Sequence, residues 1–216
     1  MHIMEGFLPP LWAGLWYLIS LPVIAYGAMK SRNLIEGGHR SRALLAVAGG
    51  FIFVLSSLKI PSPVTGSTSH PTGTGISVML FGPAVTAFLS AIVLLYQTLL
   101  LAHGGITTLG ANTASMGIIG PLAGWAVYRA LKDRVSLRVN AFTVAVVADW
   151  FTYVVTSIQL ALAFPGTSFV SSALTFMGIF ALTQIPVAIV EGIFAAFLIG
   201  YIARTYEDIS TKGVTA

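Results

Sequence analysis

The chain has 216 residues, of which 56% are hydrophobic and only 8% charged, and its formal net charge is +4. Soluble domains carry roughly a quarter charged residues, so this composition excludes a water-facing globular surface. The basic residues fall in short clusters beside long apolar runs, a pattern that excludes a nucleic-acid footprint and matches cytoplasmic loops of a membrane protein.

Cysteine is absent, which removes disulfides and thiolate metal sites from consideration. The apolar runs are long and do not alternate, so the fold class is all-α, a polytopic membrane protein forming one domain over residues 1–216. The first ten residues, MHIMEGFLPP, contain His2 but neither Lys nor Arg. A secretory signal opens with positive charge and closes on a small-residue cleavage site, and neither pattern is present, so the mature protein is expected to keep Met1.

Apolar runs follow at 11–29, 42–58, 76–102, 113–131, 139–164 and 168–203. A crossing takes roughly 20 residues, so most of these fit one each. Pro22 and Pro186 lie inside runs and are expected to kink their helices. Lys30, Arg32, Arg40 and Arg42 mark the first connection as cytoplasmic; Arg129, Lys132, Arg134 and Arg138 mark another, and Arg204 with Lys212 marks the C-terminal tail. Residues 1–10, 103–112 and 165–167 lack Lys and Arg and belong outside. Parity then requires the run 76–102 to enter and return, with a break at FGPA, residues 81–84. This predicts about seven transmembrane helices, the N-terminus outside and the C-terminus in the cytoplasm, the third helix short or tilted. A re-entrant element at 76–102 is the rival arrangement.

The outer face carries the chemistry. A free Met1–His2 offers the α-amine, with an ordinary pKa of about 7.7–8.0, the His2 amide nitrogen and the His2 imidazole through Nδ1. These close a five-membered and a six-membered ring in one plane and leave one corner open. His70 lies in the outer loop PSPVTGSTSHPTGTG, residues 61–75, and is placed to fill it. Four planar nitrogens suit nickel(II) or copper(II) and also hold cobalt(II); zinc prefers tetrahedral sites, and calcium and magnesium take oxygen ligands. His103, on the same side, is as readily an interface anchor as a ligand, and His39 belongs to the solvated cytoplasmic side. Asp149 and Glu191 fall within apolar runs, where charge faces the bundle interior. Cation or proton handling is open to them, but hydrogen-bond networks with Gln159, Gln184, Tyr153 or Thr152 are favoured. No H-E-x-x-H, G-x-S-x-G or Walker A sequence is present, so any uphill transport must draw its energy from partners or an ion gradient.

The segments MHIMEGFLPP and SSLKIPSPVTGSTSHPTGTG resemble the CbiM/NikM family, and the likeness continues through FGPAV, LLLAHGGITTLGAN, DWFTYVVTSIQLALAFP and TQIPVAIVEG. That family supplies the substrate-binding S components of energy-coupling factor importers for cobalt and nickel. The resemblance implies a seven-helix protein of the cell (cytoplasmic) membrane whose N-terminal segment, residues 1–10, folds back from outside to hold the metal with the outer histidine loop, residues 61–75. It implies metal ligation by Met1, His2 and His70, and makes Asn112 of the GAN motif a hydrogen-bond partner behind the ligands. PSPVTG is one residue longer than the family's usual PSVTG. The implied partners are a CbiQ/NikQ-like coupling subunit, CbiO/NikO-like ATPases and a small CbiN/NikN-like membrane protein, with no nucleic acid. The resemblance implies a transporter subunit and not an enzyme; Co2+ or Ni2+ is its substrate, with no cofactor. MHIMEGFLPP looks more like the cobalt branch. Two other functions compete: a self-sufficient proton-coupled metal transporter, and a metal-dependent intramembrane enzyme.

Overall fold

A computed structural model describes residues 2–61 and 67–205. Met1, residues 62–66 and the tail carrying Lys212 lie outside the described residues. Helix α1 (Pro10–Glu36) starts with proline in its first turn, where the missing N–H has no helical partner to lose. It outruns the apolar run by a turn or more, and the added turn carries an exposed Arg32–Glu36 pair at 2.7 Å, a spacing that supports helices by a few tenths of a kcal/mol. Helix α2 (His39–Ser57) follows after a two-glycine turn. Helices α6 (Leu137–Ala163) and α7 (Phe169–Thr205) pack against each other. The helices continue through both Pro22 and Pro186.

Helix α3 (Thr74–Leu101) is broken at Gly82, whose φ of 77° and ψ of 174° are open only to glycine, and Pro83 follows directly. The hydroxyls of Ser77 and Thr86 are 2.9 Å apart, whereas nine residues of straight helix would separate them by about 13 Å. The element is therefore a V. Its first arm, residues 74–81, is about 12 Å long, too short to cross a hydrocarbon layer of roughly 30 Å. The run therefore turns back on itself at Gly82.

The next rod is assembled from α4 (Leu109–Asn112), a π-helical segment (Thr113–Ile119) and α5 (Gly120–Leu131) without interruption. Five helices among the described residues, α1, α2, α3, α6 and α7, are long and apolar enough to cross a membrane. This is an all-α polytopic membrane fold with one addition. A small antiparallel sheet of order β1-β3-β2 joins β1 (His2–Ile3), β2 (Ile60–Pro61) and β3 (Ser67–Ser69). His2 pairs with Thr68 and Ile3 with Ser67. Strands of two or three residues are too short for an alternation to be read, which is why the sequence reading holds no sheet.

The N-terminal segment is part of the core. Ile3 is fully buried with Leu8, Trp16, Ala111, Ala114, Leu160 and Phe180. Burying such a side chain stabilises by about 1.5–3 kcal/mol, so Ile3 anchors the residue next to it, His2.

Candidate metal site

Three imidazoles meet where the sheet caps the helices. His2, His70 and His103 each offer a ring nitrogen, these nitrogens lie within 4.8 Å of one another, and all three residues are buried. His2 Nδ1 faces His70 Nε2 directly. Ring centroids are 4.4 Å apart for His2–His70, 4.1 Å for His2–His103 and 5.1 Å for His70–His103. The V of α3 makes this possible, since His70 precedes the element and His103 follows it.

Two of the rings, His70 and His103, are oriented by a hydrogen bond on the far side. His70 Nδ1–H donates to the Pro71 carbonyl at 2.8 Å, leaving the Nε2 lone pair directed at His2. His103 Nε2 pairs with Thr68 Oγ1 at 2.9 Å. Such outer bonds fix the tautomer of a ligating histidine. Among the described residues, buried His2 Nε2 and His103 Nδ1 have no hydrogen-bond partner. Burial holds the pKa of His2 well below the ordinary 6.5, aided by His70 and His103. The same burial, with His103 nearby, lowers His70 well below that value. His103 is pushed down to about 3 by burial and then by Lys59. All three are neutral at pH 7 and present lone pairs.

Two sets of contacts hold the donors in place. On the N-terminal side, Asn112 accepts from Ile3 N–H at 2.7 Å and donates to the Ile3 carbonyl at 3.0 Å. Thr108 Oγ1 donates to the same carbonyl at 2.7 Å. Asn112 thus grips the backbone one residue beyond His2. Glu5 accepts from Thr107 N–H at 3.1 Å, and Gly6 N–H donates to Thr107 Oγ1 at 3.0 Å. Gly104 stands at φ +79°, and a Cβ there would lie 3.1 Å from His2 Cδ2 and 3.2 Å from Asn112 Nδ2. The HGG sequence lets the 103–112 loop close over the N-terminal strand.

On the loop side, Gln184 Nε2 donates to the His70 carbonyl at 2.9 Å and to Asp149 at 2.7 and 2.8 Å. Glu191 accepts from Thr72 N–H at 2.6 Å, Thr72 Oγ1 at 3.0 Å and Gly73 N–H at 2.8 Å. The two intramembrane carboxylates fasten the histidine loop, with Gln184 serving Asp149 as the network reading expects. Glu191 has partners that reading lacks, the loop backbone itself. His39 lies elsewhere, exposed beside Arg42 at 3.2 Å.

Fold and site define a multi-pass membrane protein with a buried, neutral imidazole cluster built around its N-terminal strand. The family model described as "Cobalt uptake substrate-specific transmembrane region" matches residues 2–209, and the chain belongs to this family, CbiM. Chains carrying the CbiM name from Halobacterium salinarum and Archaeoglobus fulgidus are 61% and 60% identical over 100% and 97% of both chains. The cobalt transport protein CbiM of a Roseiflexus species is 52% identical over 99% of this chain and 87% of its own. A crystal structure described as a truncated transition metal transporter superposes with a TM-score of 0.82 at 26% identity, covering 95% of this chain and 99% of that one.

Proposed function

We propose that the chain is the metal-binding membrane component of an ATP-driven importer of the energy-coupling factor type, with Co2+ or Ni2+ as its substrate. The CbiM membership and the name of the Roseiflexus relative support cobalt as the leading ion. The ligands are the Met1 amine, the His2 amide nitrogen and Nδ1, and His70 Nε2. The N-terminal segment 1–10 lies on the outer side of the cell membrane, the chain has about seven membrane helices, the first arm of α3 being the short third one, and the C-terminus is cytoplasmic. The ATPases, coupling subunit and small accessory membrane protein are separate chains.

One observation carries this reading: His2 Nδ1 and His70 Nε2 face each other in a buried site, and the Pro71 carbonyl leaves His70 Nε2 with its lone pair free. The reading also solves a charge problem. A dication among neutral imidazoles is costly to bury, and loss of the His2 amide proton places a compensating negative charge in the coordination plane. Nitrogen donors of this kind select late first-row divalent ions over calcium and magnesium.

Equilibrium binding of Co2+ and Ni2+ by the intact protein tests it. His2→Ala and His70→Ala are expected to lower affinity by about a hundredfold or more, the upper range seen when metal-site groups are lost. One residue added before Met1 keeps both histidines but displaces the amine. It is expected to abolish tight binding, and normal binding by that variant overturns the ligand set.

A further inference from the structure

Away from the histidine cluster, α2 and the return arm of α3 flank a groove of about 590 Å³, walled by Leu45, Phe53, Leu89, Ile92 and Val93. That size falls within the range of ligand pockets, about 300–1,000 Å³. Gly49 and Gly50 also line it. Glycine is a weak helix former, and packing within the chain does not call for it here. A Cβ on Gly50 would meet nothing within 4 Å, and one on Gly49 only Leu89 Cδ2 at 3.7 Å, an ordinary contact. Gly27 is the contrast, since a Cβ there would stand 2.1 Å from the Ala84 carbonyl oxygen. The two glycines of α2 hollow a space that the chain itself leaves unfilled.

Charge and length identify the occupant. Arg42, in the first turn of α2, is the charged residue of the groove among the described residues. Its Nε donates to the Gly38 carbonyl at 3.4 Å, and its Nη2 pairs with His39 Nδ1 at 3.2 Å. A guanidinium carries five N–H groups, so most of its donors are not engaged by the described residues, and the side chain is exposed. Residues 30–42 hold Lys30, Arg32, Arg40 and Arg42 against a single acid, Glu36, which Arg32 pairs with. This end of the groove favours an anion. From Arg42 to Val54 the groove follows about 18 Å of α2. A transmembrane helix seated there would run the roughly 30 Å of the hydrocarbon layer, whereas one leaflet accounts for about half of that. An occupant with an anionic head and an apolar tail one leaflet long is a phospholipid.

We propose that this groove binds one anionic phospholipid from the leaflet on the Arg42 side, with its phosphate on the Arg42 guanidinium and an acyl chain laid over Gly49 and Gly50. Arginine suits phosphate because its planar fork presents parallel N–H groups, and basic pockets between membrane helices take lipid head groups in this way. The bound chain bridges α2 to the arm of α3 that leads to His103. It stabilises the folded protein by mass action.

The test uses the intact protein in detergent with equimolar phosphatidylglycerol and phosphatidylcholine of the same acyl chains. Native mass spectrometry reads which lipid stays bound. One phosphatidylglycerol per chain is expected to be retained in preference to phosphatidylcholine. Arg42→Gln is expected to lower that preference by about fivefold. Gly50→Leu, whose side chain enters open space, is expected to remove the retained lipid of either kind. Arg134→Gln removes an exposed cation that does not line the groove, and is expected to change nothing. Equal retention of the two lipids overturns the proposal, as does undiminished retention in Gly50→Leu. An equal loss in Arg42→Gln and Arg134→Gln also overturns it, by reducing the effect to diffuse charge. If the wild type retains no lipid and Gly50→Leu instead blocks assembly with a partner membrane chain, the groove seats a protein helix and the proposal falls.

Discussion

At His70 the protein fixes one atom by several independent constraints. Its Nδ1–H is spent on Pro71, its carbonyl on Gln184, and the two preceding side chains, Thr68 and Ser69, reach His103 and Thr183. What is left for chemistry is Nε2. The same burial that orients the three imidazoles also makes their protonation costly, and this has a sign that experiment can read. Each histidine has its folded-state pKa below the ordinary 6.5, so between that value and the folded one the unfolded chain binds protons that the folded site refuses. Stability is therefore complete above 6.5 and declines as pH falls toward the folded values, for His103 about 3. The decline amounts to at most about 1.4 kcal/mol per pH unit per histidine. The metal-free protein in detergent is expected to unfold at a lower temperature at about pH 5 than at about pH 7; a Tm independent of pH across that window contradicts neutral burial. Metal binding is also expected to weaken below neutral pH, because the proposed donor amine, with an ordinary pKa of about 7.7–8.0, must be deprotonated. An affinity unchanged from about pH 8 to about pH 5 contradicts the amine as a ligand.

Among the elements, the one that matters most to the site is α3, whose return brings His103 to His70. Its break at FGPA is readable, because glycine followed by proline both frees and restricts the backbone there. The consequence for His103 is not, since it depends on where an arm of eight residues ends against α6 and α7, a packing outcome that no local pattern encodes. The same holds for Glu191. Its intramembrane position marks it as a residue with an internal partner, but the partner is the backbone of Thr72 and Gly73, more than a hundred residues away. By contrast, the MH terminus and the SHPTG loop carry their chemistry in the residues themselves, so the His2–His70 pair is visible before any fold is known. Glu191 also separates two roles. As an anchor, Glu191→Ala strands two buried N–H groups, each worth about 1–3 kcal/mol, and is expected to lower both thermal stability and metal affinity. Glu191→Gln keeps an acceptor oxygen and is expected to fall between the wild type and Glu191→Ala in both. If the residue instead carried protons for transport, Glu191→Gln would abolish uptake while leaving equilibrium binding unchanged.

For the molecule as a whole, the candidate site is assembled from His2 in the N-terminal strand, a loop before α3 and a loop after it, all capped by one small sheet. Such a site opens only if the sheet, the 103–112 loop or the helices beneath them move together, because His2, Ile3 and Asn112 are tied into one network. Sidedness therefore decides the direction of transport: ions are captured on whichever face carries the sheet. The proposed orientation, read from the charge pattern, has that face outside and Arg129, Lys132, Arg134 and Arg138 on the opposite side. The chain contains no cysteine, so single introduced thiols report topology without background. Thr167 and Arg134 are exposed and sit at opposite ends of α6. In intact cells a membrane-impermeant maleimide is expected to label Thr167→Cys and to spare Arg134→Cys until the membrane is opened. The reverse pattern would place the histidine cluster toward the cytoplasm, where it would gather ions for export, and would overturn the importer reading even with every ligand assignment intact.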